Sequence, residues 1–263
     1  MNLKHKSKLL LVVTLLLLSI SSCKKENNMN GADGKDGNCT QGEGSIIMGE
    51  GAISTQVLSL SDFNEINLSI SSNVTVTQGT TQEVKAIGHP NIIEKLKTAV
   101  SNNLWNIELE GGCYGDYQLF IEITVPNISL LKISGSGNIT VNDFSNQSAL
   151  KSVINGSGDM ILNKFEGITI FDATLSGSGS FTANNDITTL GTSNITSSGS
   201  GNYLGFEISS NNSTVNSSGS GSSEFTTVSL LNVTLSGSGN VSYKGTPTIT
   251  QDITGSGSLI NAN

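Results

Sequence analysis

The 263-residue chain contains no arginine, three prolines, one tryptophan and only 13% charged residues. Without arginine it lacks the planar fork that clamps phosphate or carboxylate through two parallel hydrogen bonds. Positive charge is scarce as well. The formal net charge is −8, and three of the lysines (Lys4, Lys6, Lys8) sit at the extreme N-terminus, leaving ten lysines against 21 acids beyond them. That balance argues against nucleic acid and anionic substrates as partners. Histidine is nearly missing: past the N-terminal leader only His89 remains, and one imidazole without clustered cysteines or acids makes neither a zinc site nor a triad. Beside Pro90 it reads as a helix cap or a solvent-facing residue. Long apolar runs are absent after the first twenty positions, where Ser, Thr, Asn and Gly interleave with Ile, Val and Leu. This is the pattern of strands rather than helices.

The N-terminus differs. Lys4, Lys6 and Lys8 precede an apolar stretch from Leu9 to Leu18, too short to span a bilayer, which needs ~20 apolar residues, and laid out as a signal peptide over residues 1–22. Ile20-Ser21-Ser22-Cys23 resembles a bacterial lipobox, which implies lipidation of Cys23 and a membrane partner held through acyl chains at ~0.8 kcal/mol per buried CH₂. Residues 23–50 then form a lipidated cysteine and Gly-rich tether. Its Gly31-Ala32-Asp33-Gly34-Lys35-Asp36-Gly37 run is too short for a collagen helix and places Lys35 where a calcium loop needs an acid. Cys39 and Cys113 remain as an even pair, compatible with a disulfide in an exported protein or with two small buried thiols.

A β-domain is expected over residues 51–263. Period-two alternation marks strands at Ile66, Leu68 and Ile70, at Val74 and Val76, at Trp105, Ile107 and Leu109, and from Tyr117 to Val125 before Pro126. One segment breaks the rule: Ile92, Ile93, Leu96 and Val100 share a helical face behind Pro90, predicting a short helix over residues 90–100. From about residue 127 the chain is periodic. Gly-x-Gly recurs at Gly135 and Gly137, Gly156 and Gly158, Gly177 and Gly179, Gly199 and Gly201, Gly219 and Gly221, Gly237 and Gly239, and Gly255 and Gly257, a spacing of about 18–22 residues suited to solenoid coils. The glycines share the parity of the flanking apolar residues, as in Leu131, Ile133, Gly135, Gly137, Ile139, Val141. They therefore face inward, at a corner or a narrow waist where backbone bends or comes close without a Cβ between. Stacking would align outward serines such as Ser134, Ser176, Ser198, Ser218 and Ser236 in columns. At ~4.8 Å per coil, seven coils make a rod on the order of 35 Å long. Ser223 replaces an apolar residue in the fifth copy and leaves the later coils less regular.

The run from Val125 to Val141, VPNISLLKISGSGNITV, resembles the signature of the head GIN domain family of autotransporter-adhesin-type proteins of Bacteroidetes-type bacteria. Phe63 to Leu68, Val74 to Gly79 and Asn91 to Leu96 match that family's N-terminal half in order and spacing, so the likeness covers roughly residues 50–263. It implies an all-β, right-handed parallel β-helix on an exported, often lipid-anchored protein, and it brings no catalytic residues.

Parallel β-helices also host polysaccharide lyases and hydrolases, whose sites gather acids beside a base or calcium. For acids to become neighbours between coils they need a common offset from the Gly pair. Asp159 lies one residue after its second glycine, Glu224 three and Asp143 six, so no carboxylate ladder is expected, and no metal or cofactor. The Gly-Ser-Gly cores neither continue as Gly-x-Gly-x-x-Gly nor open a helix, so they are not phosphate loops. Among the tyrosines, Tyr117, Tyr203 and Tyr243 share core parity. Tyr114, in a Gly-rich loop, is left as the candidate ligand contact or packing residue. The reading is a non-catalytic, lipid-anchored envelope module, an outer-membrane lipoprotein on the cell-surface or periplasmic face, with polysaccharide or surface protein as partner. The alternatives are a carbohydrate-active β-helix enzyme, and an envelope assembly component that forms a homo-oligomer through its terminal coil, where Asn261-Ala262-Asn263 supplies no cap.

Overall fold

A computed structural model describes residues 45–185 and 187–263. The expected signal peptide, Cys23, Cys39 and most of the tether lie outside the described residues. Alternating apolar residues build β1 (Ser54–Leu58), β2 (Glu65–Leu68), β3 (Asn73–Gln78) and β4 (Glu83–Gly88), followed by α1 (Pro90–Ile93), β5 (Val100–Ser101), β6 (Leu104–Ile107) and β7 (Leu119–Val125). The repeats give β8 (Leu130–Ile133), β9 (Ile139–Asn142), β10 (Ala149–Ile154), β11 (Met160–Leu162), β12 (Ile170–Leu175) and β13 (Phe181–Ala183). Then come β14 (Ile187–Ser197), β15 (Tyr203–Ser217), β16 (Ser223–Leu235), β17 (Val241–Lys244), β18 (Thr248–Ile253) and β19 (Leu259–Asn261).

The strands stack as a parallel β-solenoid. One ladder runs β2, β8, β10, β12, β14, the later part of β15, the later part of β16, then β18. The other runs β3, β9, β11, β13, the start of β15, the start of β16, β17 and β19. Each Gly-x-Gly carries the chain from the first ladder to the second, so seven passes bound six full turns. The expected parity holds: Leu131, Ile133, Ile139, Val141, Ile154, Met160, Leu162, Leu175, Phe181, Val233, Leu235 and Val241 are all buried. Such columns complete their burial only against the next coil.

The glycines sit at the bends that carry the chain between ladders, and these corners are also a narrow waist at which close approach, and not the bend itself, requires glycine. None of the fourteen has a left-handed φ, so turn geometry does not demand them. A Cβ on Gly156 would stand 1.9 Å from the Gly135 carbonyl oxygen and one on Gly158 1.8 Å from that of Gly137. Higher in the stack, a Cβ on Gly201 would meet the Gly179 oxygen at 1.8 Å and one on Gly221 the Gly201 oxygen at 1.9 Å. Gly201 and Gly221 are thus close-approach positions, as is every second glycine up to Gly257 over Gly239. The carbonyls of the first glycines accept the N–H of the intervening serine one coil on, as in Ser157 to Gly135 and Ser178 to Gly156, both at 3.0 Å. The β2–β3 pass carries Ser69 to Ser72 in place of glycines. Its far side is covered by the β6–β7 layer instead of a further Gly-x-Gly waist, and there the Ser72 hydroxyl donates to the Leu119 carbonyl at 2.8 Å.

The segment between β3 and β8 folds back as a cap over this end. β6 and β7 pair with the outer edges of β2 and β3 in parallel, then β4 and β1 extend the second ladder antiparallel and β5 closes the first. The expected helix is confined to α1. After a turn through Glu94 and Lys95 the chain extends, because Lys97 donates to Glu108, Glu110 donates to Lys95, and Leu96 bridges Leu109. Burying Leu96 against this β-edge wins over continuing the helix. The strand β4, with Val84 and Ala86 inward, adds an alternation too short to stand out in the sequence. The end of the segment read as tether is docked rather than loose: Ile47 exchanges backbone hydrogen bonds with Cys113 and Gly115, and Asn91 clasps Met48 and Glu50.

Candidate functional site

The outer side of the waist is a ridge of hydroxyls. The middle residues of the seven Gly-x-Gly units, Ser136, Ser157, Ser178, Ser200, Ser220, Ser238 and Ser256, are all exposed, and Ser256 bonds Ser238 at 3.1 Å. Beside them the expected column forms from Ser134, Ser176, Ser198, Ser218 and Ser236, with Asn155 and Thr254 completing it; Ser134 and Ser176 donate to Asn67 and Asn155 of the preceding pass.

A second column was not foreseen. The residue after each second glycine uses its side-chain oxygen to accept the backbone N–H of its counterpart one coil on. Thus Asn138 accepts from Asp159, Asp159 from Ser180, Ser180 from Asn202, Asn202 from Ser222, Ser222 from Asn240 and Asn240 from Ser258, at 2.7–3.3 Å. Asp159 is therefore a coil cap and no part of a carboxylate cluster. The sequence signal was present, since every residue in that position is Asn, Asp or Ser. A third column joins carboxamides, Asn184 to Asn163 to Asn142.

Inside, coils four and five carry an unexpected polar zone. Ser193, Ser197, Ser210, Ser213, Ser217, Ser223 and Thr227 are buried, and Ser210, Ser213 and Thr227 form a hydroxyl chain. The Ser223 position nonetheless keeps the register. Tyr203 lies fully buried against the Phe181 ring at 4.9 Å, and burial pushes its phenol far above the ordinary value, with Ser193 pulling weakly the other way.

The remaining singled-out residues sit in the cap. Tyr114 is not an exposed loop aromatic: it is 3% exposed, donates its hydroxyl to the Glu110 carbonyl at 2.7 Å and meets Tyr117 edge-on. The structure thus gives it the packing role. Cys113 is disulfide-bonded, and the other two cysteines lie outside the described residues. His89 precedes α1 without a side-chain cap bond, and its Nδ1 accepts the Gln118 N–H at 3.0 Å. No three of His, Cys, Asp and Glu converge on a metal-sized site among the described residues.

Where the lower coils turn from the second ladder back to the first, Phe144, Phe165, Ile168, Ile187 and Ile208 close the third side of the core. At the cap the return segments 59–64 and 126–129 bury Phe63 and Ile128. Four loop ends, two of them in these segments, meet there around a cavity of about 410 Å³: Asp62 to Asn64 before β2, Thr80 to Gln82 after β3, Asn103 between β5 and β6, and Pro126-Asn127 after β7. Sequence reasoning missed these residues. The only local cue is Asn102-Asn103 between two strands, and both adopt positive φ, 52° and 63°, as a two-residue hairpin turn requires.

The model of a family described as "Putative auto-transporter adhesin, head GIN domain" matches residues 62–247. The chain belongs to the head GIN domain family. No curated protein matches the sequence. Among solved structures, this head GIN domain is similar to a putative adhesin from Bacteroides fragilis NCTC 9343, with TM-score 0.73, 20% identity and coverage of 82% of this chain and 99% of that one. It also resembles a putative adhesin from Parabacteroides merdae ATCC 43184 (TM-score 0.63, 17% identity, 82% and 99% covered). A protein from Parabacteroides distasonis ATCC 8503 described as a putative lipid binding protein matches at TM-score 0.64 and 19% identity, with 82% and 100% covered. At these identities the likeness speaks for the fold.

Proposed function

We propose that this head GIN domain protein is an exported, lipid-anchored binding module of the cell envelope that works by adhesion, without catalysis. The observation that carries the reading is the repetition of uncharged hydroxyl and carboxamide columns on a rigid stack, a surface suited to many weak contacts in register. The family description as adhesin agrees with it. Cys23 would carry the anchor at the outer membrane, on the cell-surface or periplasmic face, and Cys39 is the partner we propose for Cys113. The ligands are polysaccharide or surface protein; nucleic acid is disfavoured by the acidic balance.

Protease shaving of intact cells tests location: loss of the protein supports adhesion, and protection until lysis moves it to the periplasm and removes neighbouring cells as partners. A second reading, assembly through the last coil, draws on Ile253 at a core-facing position of β18, exposed at 38% where Leu235 one coil earlier is buried. The outer edges of β18 and β19 also have no partner strand among the described residues. A concentration-dependent dimer in ultracentrifugation would favour that reading, and a strict monomer would end it.

A further inference from the structure

The cavity at the open side of the cap has the makings of a ligand site distinct from the repeated faces. Its walls are fixed by backbone. The Asn103 carbonyl accepts the N–H groups of both Asn64 and Glu65 at 3.0–3.1 Å, and the Asn64 carbonyl accepts the Ser129 N–H at 2.8 Å. Gln82 ties Phe63 to Ser61, and Gln78 holds the Pro126 carbonyl against Ser145. The side chains carried on those walls are not used up. The Asp62 carboxylate, the carboxamides of Asn64, Asn103 and Asn127, and the hydroxyls of Thr80 and Thr81 make no side-chain hydrogen bond to any described residue, whereas Gln82 at the same rim is fully engaged. Asn103 stands at the tip of the β5–β6 turn. It lines the cavity at a positive φ of 63°, a backbone conformation that asparagine tolerates, so the turn holds it at the rim without strain.

These groups select by chemistry. One carboxylate and no lysine repel anions, a single acid is a poor cation cage, and Phe63, at 5% exposure, leaves with Pro126 only a small apolar floor. What fits is an uncharged molecule with many hydroxyls and a C–H face: amides and a carboxylate take vicinal diols in pairs, and the floor takes the ring edge. A volume of about 410 Å³ admits a short stretch of sugar chain. We propose that this cavity, with Asp62, Asn64, Asn103 and Asn127 as hydrogen-bonding residues, is a subsite for neutral glycan. The assignment deepens the adhesive reading and rests on it. The backbone of the walls is held, while the exposed side chains of Asp62, Asn103 and Asn127 must be ordered on binding; a single open subsite of this kind binds in the millimolar range.

The test uses the full-length chain in detergent, titrated with maltohexaose, cellohexaose, mannohexaose and a β-1,3-glucan hexamer, with oligogalacturonate as the charged control, followed by saturation-transfer NMR. At least one neutral hexamer should bind, and Asp62→Ala combined with Asn103→Gly should weaken it by about tenfold or more. Asn103→Gly suits the turn, so an unchanged unfolding midpoint shows that the fold is intact; Asn127→Ala gives an independent loss. Transfer from none of the neutral hexamers overturns the proposal. So does preference for oligogalacturonate, or binding that is unaltered in the double variant. If cells carrying the double variant adhere like wild type, the adhesive reading stands and the cavity assignment falls; if wild-type cells do not adhere while the hexamers still bind at the cavity, the reverse holds.

Discussion

Replacing Gly179 by alanine tests the waist directly. Its Cβ would stand 1.9 Å from the Gly158 carbonyl oxygen, whereas a C–H···O contact needs ~3.3 Å or more. The two coils must therefore separate locally by more than ~1 Å. The hydrogen bonds from Ser178 to Gly156 at 3.0 Å and from Ser176 to Ile154 at 2.9 Å then pass beyond useful length. Two lost bonds at about 1 kcal/mol each, with overpacking strain of about 1–3 kcal/mol, give roughly 3–5 kcal/mol, a large part of a total that is typically ~5–15 kcal/mol. The thermal midpoint by circular dichroism should fall on the order of 10 °C. Gly111→Ala, whose Cβ meets nothing within 4 Å, and Ser178→Ala should both stay within about 0.5 kcal/mol of wild type. Trp105, the single tryptophan, is buried in the cap. Since coils couple mainly to their neighbours, its fluorescence transition should move less than the circular dichroism. A Gly179→Ala midpoint equal to that of Gly111→Ala would refute the steric account of the repeat.

Gly257→Ala should cost less, about 1 kcal/mol, because no coil lies beyond the last one among the described residues and it is free to tilt outward. Asp159→Ala should destabilise by ~1 kcal/mol by uncovering the Ser180 N–H, with Asp159→Asn restoring wild-type stability in the same melt. Tyr203→Phe should be neutral or stabilising, because its buried hydroxyl has no partner of good geometry; a loss above about 1 kcal/mol in urea unfolding would show a bond there. Burial also raises the folded-state phenol of Tyr203, and that of Tyr114. Their contribution is complete below the unfolded value of about 10 and is lost as pH climbs above it, so tyrosinate absorbance from the fully buried Tyr203 should appear only together with loss of β-structure. Titration of Tyr203 before unfolding would contradict this. Non-reducing peptide mapping should return a Cys39–Cys113 cross-linked fragment, and a Cys23–Cys113 fragment would displace both that pairing and the lipid anchor.

Inter-coil geometry was legible in this chain because parity in an extended strand is a strict rule. Ile133, Gly135, Gly137 and Ile139 had to share a face, and fourteen glycines at one phase had to mean a bend or a close approach. Both hold, but sequence could not say which of them requires glycine, since a glycine at positive φ and a glycine beneath a carbonyl are written alike; the position of the Gly135 oxygen against Gly156, repeated at Gly201 and Gly221, assigns the requirement to close approach. The cap resisted reading for a different reason. Leu96 fits a helical face as well as a strand edge, and its partner Leu109 lies across the intervening β5–β6 hairpin, so local periodicity carried no information about which face would win. The cavity was the least visible feature. Asp62, Asn103 and Asn127 are far apart in sequence and ordinary as loop residues, and they meet only because four loop ends of the cap converge. Repetition thus announces the scaffold, while the place where repetition stops, which has no period to detect, holds the unpartnered side chains proposed as the subsite.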